Sequence, residues 1–240
     1  MRGAAQLFLC FCRDSVIMQK KMALGITDAS YIKRFASHIN HISRMKKMEE
    51  MLPSGRKALD IACSYGILTE RIARKGNDVI GIDTDRRALA LLKKKGLKGI
   101  YGTAENLPFK AGSFDLVVAG EIIEHIRQPQ KFMDEARRVL RKGGELIIST
   151  PNIASLSNRL RRSLGMRLNV VEYGGEHDVG HVSFFDRERL LKLLERNGFE
   201  LEELRANYVY VPVLRLSSML LGDLMPGLGV CLIARARKVK

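Results

Sequence analysis

Leu59-Asp60-Ile61-Ala62-Cys63-Ser64-Tyr65-Gly66-Ile67-Leu68-Thr69-Glu70 is an apolar run that passes, through small residues at 62, 64 and 66, into a helical pattern. Small side chains let a backbone turn sharply and approach a ligand closely. A second buried run, Asp78 to Asp83, ends on a carboxylate twenty-one residues after Ala62. A carboxylate there suits acceptance of hydrogen bonds from both hydroxyls of a ribose. A nicotinamide-dinucleotide loop would read Gly-x-Gly-x-x-Gly. With positions 62 and 64 as its first two, the third falls on β-branched Ile67, which argues against that reading.

Working outward, strands alternate with helices. Lys57 to Ala62 is predicted as a strand, Thr69 to Lys75 as a helix, Asp85 to Lys95 as a helix and Gly99 to Tyr101 as a strand. Phe114 to Gly120 is a fourth strand, and Gln128 to Arg141 a helix stopped by Gly143-Gly144. Glu145 to Thr150 is a fifth strand. Asp186 caps a helix from Arg187 to Arg196, and Phe199 to Val211 and Gly229 to Lys238 are the last two strands. The alternation predicts an α/β fold: a doubly wound, seven-stranded, mostly parallel sheet with an antiparallel last strand. Residues 1–54 form a separate N-terminal part. Its residues 27–52 are predicted helical from Ile32, Phe35, Ile39, Ile42 and Met45, and are expected to act as a lid over the cofactor. Residues 55–240 are the main domain, with a cap inserted at about 151–185.

The chain has 240 residues, 46% hydrophobic, with 41 Lys and Arg against 26 Asp and Glu, a formal charge of +15. It is too apolar to be disordered, and 6% aromatics with no Trp disfavours a stacking face for single strands. The excess is spread: eleven basic against four acidic residues in 1–57, sixteen against twelve in 58–150, fourteen against ten in 151–240. Such charge suits acidic partners, or is simply a solvated surface. Cys10, Cys12, Cys63 and Cys231 form neither a disulfide framework nor a paired zinc pattern, and a reducing cytoplasm fits. The apolar stretch Ala4 to Cys12 is too short to span a bilayer and is read as a flexible or packing segment. Met18 and Met22 offer alternative starts.

The loop at 60–70 resembles the first motif of the class I S-adenosylmethionine-dependent methyltransferases, usually Asp-x-Gly-x-Gly-x-Gly, with Ala62 and Ser64 where glycine is usual. Tyr101 to Phe109 with Ser113 to Val118, Leu140 to Asn152, and His181 to Phe185 with Leu190 to Phe199 resemble later motifs of the family in their order. The resemblance covers roughly residues 55–240. It implies S-adenosylmethionine as cofactor, held by Asp60, Ala62, Cys63, Ser64, Gly66, Asp83, Thr84, Ala104, Glu105, Gly120 and Glu121. The substituted glycines imply a weakened or rearranged contact rather than its loss.

Ala119-Gly120-Glu121-Ile122-Ile123-Glu124-His125 closes strand four, at the sheet edge where ligands bind in open α/β folds. It looks like the Glu-x-x-Glu-His segment of quinone-biosynthesis-type O-methyltransferases. A histidine there is a candidate general base. His125 and His181 are the candidate catalytic residues; Glu124, Asn152, Tyr173 and His177 are candidates to touch substrate. The same carboxylates and histidines could instead hold a metal or serve as scaffold, and the reading taken is catalysis without a metal. The expected activity is methyl transfer to a small-molecule acceptor, on oxygen, with a lipid-linked or quinone-like compound in view. The apolar segment around Ser217 to Leu228 is either core packing or a peripheral membrane contact. Nucleic-acid methylation and a non-catalytic cofactor-binding subunit are the alternatives, and the chain is expected to be a monomer or homodimer.

Overall fold

The computed structural model describes residues 39–168, 181–212, 214 and 216–239. Two compact units divide the chain, residues 1–43 and 44–240. Of the first, only the opening turn of helix α1 (Ile39–Met51) is described.

The second unit is built on a seven-stranded sheet: β1 (Lys57–Ile61), β2 (Asp78–Asp83), β3 (Lys98–Tyr101), β4 (Phe114–Gly120), β5 (Leu140–Pro151), β6 (Phe199–Ala206) and β9 (Cys231–Lys238). Their order is β3-β2-β1-β4-β5-β9-β6. Parallel pairing holds from β3 to β5, and β9 runs antiparallel to both β5 and β6. This is the expected α/β architecture. Central strands buried on both faces read as continuous apolar runs. In β4, Val117 and Ala119 face one core with Leu59, Phe132, Ile148 and Leu190. Leu116 and Val118 face the other, with Met48, Met51, Leu68 and Ile72.

The helices are α2 (Ile67–Arg74), α3 (Arg86–Lys94), α4 (Pro129–Val139), α5 (Leu156–Ser163), α6 (Arg187–Arg196) and α7 (Met219–Leu224). Asp85 caps α3 by accepting the Arg87 amide at 2.8 Å, and Asp186 caps α6 through the Arg189 amide at 2.8 Å. The α1 residues Met45, Met48 and Met51 pack into the second core. Helix is thus observed for 39–51 of the predicted 27–52; residues 27–38, and most of the expected lid, lie outside the described residues.

Two expectations need correction, and one alternative left open is decided. Gly143-Gly144 is not a helix stop. The helix ends at Val139, and the glycines lie inside β5, where Gly143 adopts φ +73° and Phe114 and Leu116 pair with Leu140 and Glu145 across a bulge. Phe199 to Val211 is not one strand. Buried Asn207 breaks it, its side-chain oxygen accepting the amides of Tyr208 and Cys231 at 2.8 and 2.9 Å. The chain then forms a separate hairpin, β7 (Val209–Val211) with β8 (Leu216–Ser218). For Ser217 to Leu228, left open between core packing and a surface contact, core packing accounts for only a part. The segment supplies the end of β8, α7 and a 3₁₀ turn, with several leucines exposed.

Candidate active site

The loop after β1 reads its unusual sequence through its backbone. Ala62, Ser64 and Gly66 all take positive φ, at 56°, 47° and 78°. The alanine and serine therefore adopt the left-handed turn that glycine would take more easily, at a cost of about 1–2 kcal/mol each. The glycine at 66 is needed for space as well, since a Cβ there would lie 2.1 Å from Leu92 Cδ1. Asp83, at the end of β2, accepts the Ser64 amide on Oδ2 and the Asp85 amide on Oδ1, both at 2.8 Å. It remains partly exposed, and each oxygen keeps a lone pair for a further donor. Small residues at left-handed turns beside a solvent-facing carboxylate fit a ribose and its attached chain. Ala104 is partly buried and Glu105 exposed on the loop after β3; Thr84 is exposed beside Asp83.

Asp60 and Cys63 play another part. Asp60 is buried and accepts the Thr69 hydroxyl at 2.6 Å. Burial raises its pKa to about 7, the Thr69 bond opposes the rise, and the Asp83 charge adds to it. Through the Thr69 bond it ties the turn to α2. Cys63 is also buried; burial above all, then the charges of Asp60 and Asp83, keep its thiol protonated. Its amide donates to the Ile82 carbonyl at 3.1 Å, and its Sγ fills the space beside Gly81 of β2, where an added Cβ would lie 2.7 Å from it.

Past Gly120, Glu121 also adopts positive φ, 54°. Its carboxylate accepts the Cys231 thiol at 3.2 Å and lies 3.9 Å from the Arg44 guanidinium, which also donates to Ser149 Oγ at 3.4 Å. Arg44 is absent from the sequence reading. Its only signal there is Arg44 and Lys47 each standing one position before a buried methionine of α1. Its charge balances the acidic end of β4 from within the protein.

Glu124 is 2% exposed. One oxygen accepts the Thr150 hydroxyl at 3.1 Å; the other, Oε1, is buried with no hydrogen-bond partner among the described residues. Burial first, then the neighbouring Glu121 charge, hold its carboxyl well above the usual range, against the opposing effects of its hydrogen bonds and Arg44. Its backbone carbonyl accepts the amides of Val182 and Ser183 at 2.9 and 3.0 Å, which draws the segment carrying His181 over the end of β4. The two candidate bases thereby meet. The rings of His125 and His181 lie 4.7 Å apart, tilted by 59°. One ligand-type atom from each of Glu124, His125 and His181 falls within 4.8 Å of the others.

Asn152 is engaged by the chain's own backbone. It is buried, donates to the carbonyls of Gly227 and Gly229 at 3.1 and 2.8 Å, and accepts the Ala154 amide at 3.0 Å. These bonds use its capacity to pin the chain before β9. Tyr173 and His177 lie outside the described residues.

Residues 59–148 match the family model of a methyltransferase domain. The chain is 32% identical over 169 residues to a ubiquinone biosynthesis O-methyltransferase, mitochondrial, of Rattus norvegicus, covering 66% of this chain and 48% of that protein. A ubiquinone biosynthesis O-methyltransferase of Cereibacter sphaeroides is also 32% identical, with 66% of each chain covered. The chain thus spans about half the length of the rat relative. A SAM-dependent methyltransferase from Thermotoga maritima superposes with a TM-score of 0.63 at 24% identity, covering 87% of this chain and 93% of its own. A methyltransferase from Bacillus halodurans gives 0.62 at 23%, covering 82% and 100%.

Proposed function

We propose that this chain, which carries a class I S-adenosylmethionine-dependent methyltransferase domain, transfers a methyl group to a hydroxyl of a small-molecule acceptor. The cofactor supplies the methyl as an electrophilic sulfonium substituent. The residues at the ends of β1, β2 and β3 fit it: Asp83 keeps acceptor capacity for the ribose hydroxyls, the turn at 62–66 admits a close backbone approach, and the loop at Ala104 and Glu105 would hold the base. The chain's task is then alignment and removal of the hydroxyl proton.

The observation that carries this reading is the pairing of His125 with His181 over the end of β4. One imidazole takes the proton from the acceptor hydroxyl, and the second, with the Glu124 carboxyl beneath, orients it. Names of relatives support oxygen as the accepting atom and a quinone-like compound as the acceptor. A lipid-linked acceptor would bring the chain to a membrane surface as a peripheral protein of a reducing compartment such as the cytoplasm. No helix among the described residues is long and apolar enough to cross a membrane.

Transfer of labelled methyl to a panel of water-soluble phenols and catechols tests this. His125→Ala or His181→Ala should lower turnover by roughly 10²–10⁴-fold with cofactor affinity nearly intact. The convergence of Glu124, His125 and His181 also favours a second reading, a divalent ion that lowers the pKa of the bound hydroxyl. Activity abolished by EDTA and restored by a divalent ion selects that reading over the base. Full activity in both histidine variants rejects both.

A further inference from the structure

The loop after β3 is held in place from α4. Its turn is closed by the Asn106 amide on the Thr103 carbonyl at 3.3 Å, a long bond, so its position is set by its two ends. At the first, the Gly102 amide donates to the Asp83 carbonyl at 3.1 Å, beside the ribose carboxylate. At the second, Leu107 is 3% exposed and belongs to no strand. A buried peptide outside the sheet must find its partners elsewhere. Two side chains of α4 supply them. Glu135 Oε2 accepts the Leu107 amide at 2.6 Å. Arg138 Nη2 donates to the Leu107 carbonyl at 2.9 Å, and Nη1 to the Phe109 carbonyl at 2.6 Å. The two side chains also hold each other, with Arg138 Nε on Oε1 at 2.6 Å and Nη2 on Oε2 at 2.8 Å. All three guanidinium nitrogens are engaged, which a lysine cannot reproduce.

We propose that Glu135 and Arg138 are positioning residues for the cofactor: they fix the turn at Ala104 and Glu105 where it reads the adenine, and so set base selectivity without touching the cofactor. The inference rests on the placing of the base in the reading above. Leu107 is anchored by its side chain among the buried residues of β1, β4 and α4, and that packing alone leaves its peptide free to rotate. The ion pair holds both the amide and the carbonyl of that peptide, and so fixes the direction from which the turn departs.

Isothermal titration with S-adenosylhomocysteine and with S-inosylhomocysteine, whose base carries an oxygen in place of the 6-amino group, reads selectivity as a ratio of two Kd values. The wild type should favour the adenine compound by about tenfold or more. Arg138→Met should weaken S-adenosylhomocysteine about tenfold and bring the ratio within about threefold of one. Arg138→Lys keeps the charge without the fork, and Glu135→Gln keeps an oxygen for the Leu107 amide without the charge; both should fall between. Thermal melts of the same samples report folding. A folded Arg138→Met protein that melts lower with the wild-type ratio shows that the pair only stabilises, and overturns the proposal. Should Arg138→Met not fold, an unchanged ratio in both Arg138→Lys and Glu135→Gln overturns it equally. So does a wild type that binds the two compounds alike. Ala104→Trp fills the place of the base and should abolish binding of both. If it binds as the wild type does, the base lies elsewhere and the pair has nothing to position. If it abolishes binding while the Arg138 variants keep the ratio, the placing of the base stands and the positioning role falls. No acceptor enters these titrations, so methyl transfer to a phenol is decided separately.

Discussion

Removing the Asp83 carboxylate should separate cofactor binding from folding. In the folded chain its two oxygens hold the amides of Ser64 and Asp85 at 2.8 Å, and the group stays partly exposed with lone pairs to spare. Two charge-assisted bonds to ribose hydroxyls are worth about 1.5–3 kcal/mol each, and water entering a half-open site recovers part of that. The net loss in Asp83→Ala is therefore about 2–4 kcal/mol, or roughly 30- to 1000-fold in Kd. Release of the Ser64 amide contributes within that range, because the loop then leaves its left-handed turns more readily. Isothermal titration with S-adenosylhomocysteine measures the affinity, and thermal melts confirm the fold. Asp85→Ala is the control. It removes the α3 cap at about 1 kcal/mol of stability and leaves the affinity within about twofold. A folded Asp83→Ala protein that binds within about threefold of wild type refutes the reasoning, as would binding of NAD by the wild type.

Three further outcomes concern the loop. The folded Asp60 carboxyl binds its proton more tightly than the unfolded one, at about 7 against 3.8, so its contribution to stability falls as pH rises from about 4 to about 7, by about 4 kcal/mol at most. Denaturant melts at the two ends of that window should show Asp60→Asn to have the flatter pH dependence. Gly66→Ala must place a methyl against Leu92 at φ +78° and should cost about 2–4 kcal/mol, read as a fall in Tm. Ala62→Gly and Ser64→Gly relieve about 1–2 kcal/mol of backbone strain and lose part of it to the freer unfolded chain. Each should therefore gain about 0.5–1 kcal/mol, and a loss in both would show that the loop is not strained.

The sheet was legible because its signals are local. The apolar runs at 57–62, 78–83 and 114–120 and the cap residue Asp186 announce themselves within a few positions. Asp83 was legible too, from its place at a strand end. What escaped depends on distance along the chain. Arg44 meets Glu121 and Ser149 across 77 and 105 positions, and no periodicity in α1 says which basic residue turns inward. Asn152 looked available because its partners, the carbonyls of Gly227 and Gly229, lie some 75 residues away. Gly143-Gly144 misled because the same dipeptide that ends a helix also accommodates a bulge, and only the register against β4 distinguishes them. Asp60 carries the expected residue type, yet Thr69 one turn into α2 draws it inside.

The placing of β9 between β5 and β6 has a consequence for how the protein is made. Strands β5 and β6 share no backbone ladder; each pairs with β9, whose residues 231–238 leave the ribosome after both. Until then β5 presents an open apolar edge, Leu146 to Ile148, to whatever is nearby. Synthesis thus passes through a stage in which the half-sheet β3-β2-β1-β4-β5 can form while its boundary is adhesive, and β6 waits unattached. A ribosome stalled before residue 231 should hold a nascent chain that engages holding chaperones, and release should come as β9 closes the gap.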